Sequence, residues 1–171
     1  MNAQPEPQLP TSPAKLLDIL RGLGIEATNF EHSPVFTVEQ AKALRGKLSG
    51  GHIKNLFLRN KKEEMWLIVV GEDKPVDLKK LGETLGAGRL SFGSPERLMR
   101  YLGVLPGAVT PFAIVNDRDR RVRVVLDQEL LGFELVNCHP LVNDRTTALK
   151  PADLQRFLEA EGHKPILMAF P

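Results

Sequence analysis

Lys54 stands in the run His52-Ile-Lys-Asn-Leu-Phe-Leu58, where alternation puts it on one strand face with Leu56 and Leu58. Ile53 and Phe57 make the other face apolar as well, as in a strand buried on both sides. An ammonium at the head of such a strand must snorkel to water, pair with an acid, or line a polar pocket. A second segment with chemical potential is Gly107-Ala-Val-Thr-Pro111. Its glycine permits close backbone approach and its proline fixes the exit, so it is either a tight turn or a loop that presents amide N–H groups to a carbonyl or phosphate. The third is Cys138-His-Pro-Leu-Val-Asn-Asp-Arg-Thr-Thr147, in which polar side chains follow a strand end. Asn143 and the threonines could cap turns locally there.

Other chemistries are excluded by spacing. The four histidines, His32, His52, His139 and His163, contain no zinc-type pair, and with one cysteine a metal site is not expected. Cys138 and His139 are adjacent on a strand end and project oppositely, so they do not make a thiol dyad, and Cys138 reads as a small core residue. Gly86-Ala-Gly88 follows a helical pattern rather than a strand, which makes it a helix stop and not a dinucleotide loop.

Ser12-Pro13 and Ser94-Pro95 each supply an N-cap followed by proline at the first helical position. Helices are also expected from Thr37 to about Arg45, over Asp77–Leu85 and from Pro151 to about Glu161. Expected strands are Ala27–Phe30, a hairpin of Ile53–Arg59 with Met65–Val70, a second hairpin of Phe112–Val115 with Val122–Leu126, then Phe133–Asn137 and Pro165–Phe170. Irregular alternation with hairpin links predicts an α+β fold: one domain, a mixed, mostly antiparallel sheet with packed helices. Residues 1–11 read as a flexible leader and 12–171 as the domain.

The chain has 171 residues, and its 23 Lys+Arg against 21 Asp+Glu leave a net charge of +2. That average hides a stretch, Lys42 to Lys62, with seven basic residues and no acid, and a second cluster at Arg118, Arg120, Arg121 and Arg123 that Asp117 and Asp119 dilute. A one-signed stretch attracts polyanions whatever the global charge, although it also suits a solvated helix face and hairpin tip. No apolar run approaches the roughly 20 residues of a membrane helix. The amino-terminal residues lack the basic start and apolar stretch of a signal peptide, so a cytoplasmic protein without a membrane partner is expected.

Four stretches together resemble the YbaK/ProRS-associated editing-domain family, and within it the freestanding Ala-tRNA(Pro) deacylases of the ProXp-ala type. They are His32-Ser-Pro-Val-Phe-Thr-Val-Glu-Gln-Ala41, His52-Ile-Lys-Asn-Leu-Phe-Leu-Arg-Asn-Lys-Lys62, Gly107-Ala-Val-Thr-Pro-Phe112, and His139-Pro-Leu-Val-Asn143 with Thr146 and Thr147. The family often has Pro where this chain has Ser33, and commonly Asp in place of Asn60. The resemblance implies that Lys54 is the functional lysine. It implies that Gly107, Ala108, Val109, Thr110 and Pro111 line an aminoacyl pocket, with Asn55, His139 and Asn143 near it.

The implied activity is hydrolysis of mischarged Ala-tRNA(Pro) without metal or other cofactor, by positioning and with help from a substrate hydroxyl. Its partners would be tRNA(Pro) charged with alanine and, at one remove, prolyl-tRNA synthetase. Lys47, Lys61 and Lys62 are the residues expected to touch the tRNA backbone. A Cys-tRNA(Pro) deacylase of the same family, a non-catalytic nucleic-acid-binding module and a small-molecule pocket protein are the alternatives. An aromatic content of 6% leaves little for base stacking in the second of these.

Overall fold

Three of the four helices described below open on an oxygen side chain that caps a backbone N–H. In the computed structural model, which describes residues 9–32 and 50–170, Ser12 caps α1 (Pro13–Gly22) by accepting from the Lys15 amide at 3.1 Å. Asp77 caps α2 (Leu78–Leu85), and Ser94 caps α3 (Pro95–Leu102). Such caps satisfy amides that have no partner within the helix, each contributing about 1 kcal/mol. Gly86 and Gly103, both left-handed, close α2 and α3, so the helix stop expected at Gly86 is present. The fourth helix, α4 (Pro151–Ala160), begins on proline without a side-chain cap. The expected helix from Thr37 lies outside the described residues, as does Lys47.

The strands are β1 (Thr28–Glu31), β2 (Gly51–Arg59), β3 (Met65–Gly71), β4 (Ser91–Phe92), β5 (Val122–Asp127), β6 (Val136–Cys138), β7 (Arg145–Leu149) and β8 (Ile166–Met168). Among the described residues they form one eight-stranded sheet in the order β1-β7-β6-β2-β3-β5-β8, with β4 pairing β2 beside that path. β2 runs antiparallel to β3 as the expected hairpin, whereas β2–β6, β3–β5 and β5–β8 are parallel. The sheet is thus mixed, within an α+β architecture.

Three expectations are corrected. The second hairpin does not exist, because Pro111–Asn116 is a 3-10 helix and only Val122–Asp127 is a strand. Thr110 accepts from the Phe112 amide at 3.3 Å and Pro111 takes the first helical position, the same cap-plus-proline device that opens α1 and α3. The threonines of the third segment do not cap turns either. Thr146 and Thr147 lie inside β7, which pairs with β1 and β6. The strand expected over Phe133–Asn137 is shorter and shifted, to Val136–Cys138.

The sheet buries both faces. One carries Phe57, Met65, Leu67, Val69, Val136 and Cys138 against α1, α3, α4 and the 3-10 helix. In that cluster Phe112 and Phe157 meet edge to face, with ring centroids 5.4 Å apart. The opposite face carries Leu58, Trp66, Ile68 and Val70 against α2. The β2–β3 turn is organised by buried Asn60, whose Nδ2 donates to Glu64 Oε1 and to the Ala87 carbonyl, each at 2.9 Å. Its Oδ1 accepts from the Lys62 and Glu64 amides.

Candidate functional site

The sheet divides along β2. β6 pairs with β2 only at Gly51–Val136 and His52–Asn137, and β4 joins only at Leu58 and Arg59. Between those pairings, the edge of β2 that faces away from β3 meets no strand among the described residues. Backbone groups on such an edge are available to something other than the sheet. Lys54 and Asn55 lie in this interval.

Regular pairing of Ile53–Arg59 with Met65–Gly71 keeps strict alternation, so consecutive side chains point to opposite faces. Ile53 and Phe57 pack in the first cluster and Leu56 and Leu58 in the second. Asn55 therefore shares its face with the former and Lys54 with the latter. Lys54 is half-buried, and no carboxylate lies within 4.0 Å of it among the described residues. Asn55 Oδ1 is buried with no hydrogen-bond partner among them. A buried unpaired carbonyl oxygen costs about 1–3 kcal/mol, a cost that a ligand donor would remove.

The face that carries Lys54 is polar where β2, β6 and β7 adjoin. His52 pairs with Asn137, and Asn137 with Ala148, which sets Thr146 on the same face one alternation along. His32 Nε2 lies 2.8 Å from Thr146 Oγ1. His139 follows β6, and its Nδ1 donates to the Arg145 carbonyl at 3.2 Å, which leaves Nε2 as the lone-pair nitrogen. Burial pushes the His139 pKa down; the Arg145 hydrogen bond opposes this, and the nearby His32 ring adds to it. His139 is therefore neutral at pH 7.

The loop Gly107–Pro111 belongs to the other side. Ala108 and Thr110 are buried, and Val109 packs against the first cluster, which is the face of Asn55. Gly107 has φ +90°, a conformation that a side chain would strain. The loop thus approaches Asn55's side of β2, while Lys54 and the histidines occupy the reverse side. Asn143 lies half-buried in the β6–β7 connection. That connection turns on Leu141, which has φ +72° and yet is buried in the first cluster.

Cys138 is fully within the apolar cluster, where burial pushes its thiol pKa far up, away from a nucleophilic thiolate. Lys61 and Lys62 are exposed at the β2–β3 turn. His32 and Thr146 stand in stretches that carry the resemblance, but neither they nor Asn137 are among the site residues expected from the sequence. The β-branched pair Thr146-Thr147 is the signal that could have placed β7 and, with it, Thr146 on the polar face.

Comparison with known proteins gives the same frame. The aminoacyl-tRNA editing domain matches residues 32–157 of the chain. The Danio rerio protein called prolyl-tRNA synthetase associated domain-containing protein 1 is 42% identical over 158 residues, covering 91% of this chain and 86% of the relative. The prolyl-tRNA editing protein ProX of Acetoanaerobium sticklandii is 39% identical over 142 residues, covering 82% and 87%. A crystal structure described as that of a candidate trans-editing enzyme for prolyl tRNA synthetase has a TM-score of 0.68 at 22% identity and covers 94% of this chain and 99% of its own, a likeness of fold.

The chain belongs to the aminoacyl-tRNA editing domain family. It is accordingly a hydrolase of the ester that joins an amino acid to tRNA. No helix among the described residues is long and apolar enough to cross a membrane.

Proposed function

We propose that this protein is a trans-editing deacylase that clears alanine mischarged onto tRNA(Pro). The names of its relatives support the prolyl system, and the chemistry of size discrimination supports alanine. A synthetase pocket built for proline cannot exclude the smaller alanine on steric grounds, since missing methylenes are worth only about 1–3 kcal/mol. A second site too small for proline then hydrolyses what the first accepted.

The observation that carries the reading is the Lys54–Asn55 pair at the interval of β2 left between β6 and β4. A nucleotide end entering that interval meets an ammonium on one side and a buried, unpaired carbonyl oxygen on the other. In this reading Lys54 engages the terminal phosphate or ribose, and Asn55 Oδ1 accepts from the α-amino group of the amino acid. Backbone N–H groups of Gly107, Val109 and Thr110 stabilise the oxyanion of the tetrahedral intermediate, since Pro111 has none and Ala108 donates to the Leu105 carbonyl. His139 and Asn143 border the pocket, and Lys61 and Lys62 touch the tRNA backbone, as does Lys47.

With no thiolate or nucleophile–base pair assigned, the ribose hydroxyl next to the ester orients or activates water, at no entropic cost of bringing in another group. The test is to incubate the protein with tRNA(Pro) charged with alanine, cysteine or proline and to measure residual ester. Alanine should be lost selectively. Preferential loss of cysteine assigns the alternative specificity, and survival of all three esters overturns the reading.

A further inference from the structure

Three guanidinium groups converge on the ring of Tyr101: Arg100 at 5.2 Å, Arg121 at 5.6 Å and Arg97 at 6.0 Å from its centroid. Arg97 and Arg100 come from α3, and Arg121 comes from the turn that enters β5. Each gains from the ring face, but like charges gathered this closely repel one another. Glu63 is the carboxylate that compensates them, 2.6 Å from Arg97 and 3.7 Å from Arg59. Its pKa is held below the ordinary carboxylate value, by Arg97 foremost and also by Arg59 and Arg121.

One anion does not balance this group. Arg100 and Arg121 are exposed and have no carboxylate within 4.0 Å among the described residues. Glu96 lines the same recess of about 240 Å³, without such an ion pair. Arg118 and Arg120 are exposed in the same turn with Asp119 between them, and exposed Lys61 and Lys62 precede Glu63 on the hairpin tip, so cations remain in excess.

We infer that the arginine-ringed Tyr101 is a docking surface for the phosphodiester backbone of RNA, engaging the substrate tRNA away from its aminoacyl end. This rests on the proposed function above. Guanidinium forks match phosphate oxygens, and preassembly around a ring lowers the entropy cost of ordering them. The surface favours RNA over a protein partner because none of the large hydrophobic side chains that the fold exposes belongs to this group, leaving no apolar centre for a protein interface. Its position also fits. Arg59 ends the strand that holds Lys54 five residues earlier, which at about 3.3 Å per residue is roughly 17 Å. A tRNA whose charged end sits at Lys54 thus has this tip within reach of its stem.

The test is the double variant Arg100→Ala/Arg121→Ala, which spares the Arg97–Glu63 pair. Binding of uncharged tRNA(Pro) is measured across a salt series. Hydrolysis is measured on full-length charged tRNA(Pro) and on a short substrate that carries the same ester on a CCA trinucleotide. Binding should weaken about tenfold and the slope of log affinity against log salt should flatten by about two, one per lost phosphate contact. Hydrolysis of the short substrate should stay at the wild-type rate. Unchanged tRNA affinity and salt slope would overturn the inference, as would equal losses on long and short substrates. If the wild type binds tRNA through these arginines but hydrolyses neither substrate, the docking surface stands and the proposed function falls.

Discussion

Lys54 and Asn55 are neighbours in sequence but stand on opposite faces of the sheet, at the interval where, among the described residues, β2 is paired on one edge only. Their substitutions should therefore separate. Lys54→Ala should leave the melting temperature near wild type and lower single-turnover deacylation about 100-fold, the scale of losing one charged contact in a preorganised site. Asn55→Ala should also lose activity, yet should melt no lower than wild type, because it removes a buried oxygen that has no partner to lose. Full activity in a folded Lys54→Ala protein would return that side chain to a snorkelling role.

Cys138 and the substrate's ribose offer a contrasting pair of tests. Cys138→Ala should retain deacylase activity, since the thiol is buried and its pKa raised. Ala-tRNA(Pro) that lacks the terminal 2′-hydroxyl and carries alanine on the 3′ oxygen should bind but hardly react. Hydrolysis of that substrate at the ordinary rate would replace substrate assistance with a protein base, and His139 Nε2 would be the first atom to examine.

Asp117 and His163 form a buried link between the turn before β5 and the chain after α4, with Oδ2 2.9 Å from Nε2. Burial alone would raise the Asp117 pKa. Hydrogen bonds from His163, Val122 and Arg121 outweigh it and hold the pKa below its ordinary value. A depressed carboxylate contributes stability above its unfolded pKa and loses it as pH falls through the folded one. Wild-type stability should accordingly drop from about pH 4 downward, whereas Asp117→Ala should be less stable at neutral pH by about 3–5 kcal/mol and show a flatter acid limb. Thermal melts between pH 7 and pH 3 decide it.

Leu141 combines φ +72° with burial in the apolar cluster. The left-handed backbone costs a branched side chain about 1–2 kcal/mol, which burial worth about 1.5–3 kcal/mol offsets. Leu141→Gly relieves the first and forfeits the second, so a net loss of about 0.5–1 kcal/mol is expected in denaturant titration. Because this residue shapes the connection that holds His139 and Asn143, KM for the charged tRNA should rise too. A stabilised variant would show that the strain dominates.

The sequence determined the elements whose signals are local. Ser12-Pro13, Asp77 and Ser94-Pro95 cap helices wherever they fall, because an oxygen and a fixed φ act within one turn. The same signal in Thr110-Pro111 was legible too, but the apolar run Phe112–Val115 that follows fits strand or helix equally, and packing against α3 and α4 decided for the helix. β7 was hidden for a different reason. Thr146 and Thr147 satisfy their hydroxyls with His32 and Asn29, more than a hundred residues away, and nothing local requires such pairing. Alternation alone separated Lys54 from Asn55. That Asn55 faces the side of the Gly107–Pro111 loop, and Lys54 the side of Asn137 and Thr146, depended on which strand lies beside β2. That is a register between distant segments, settled only when two apolar faces are buried at once.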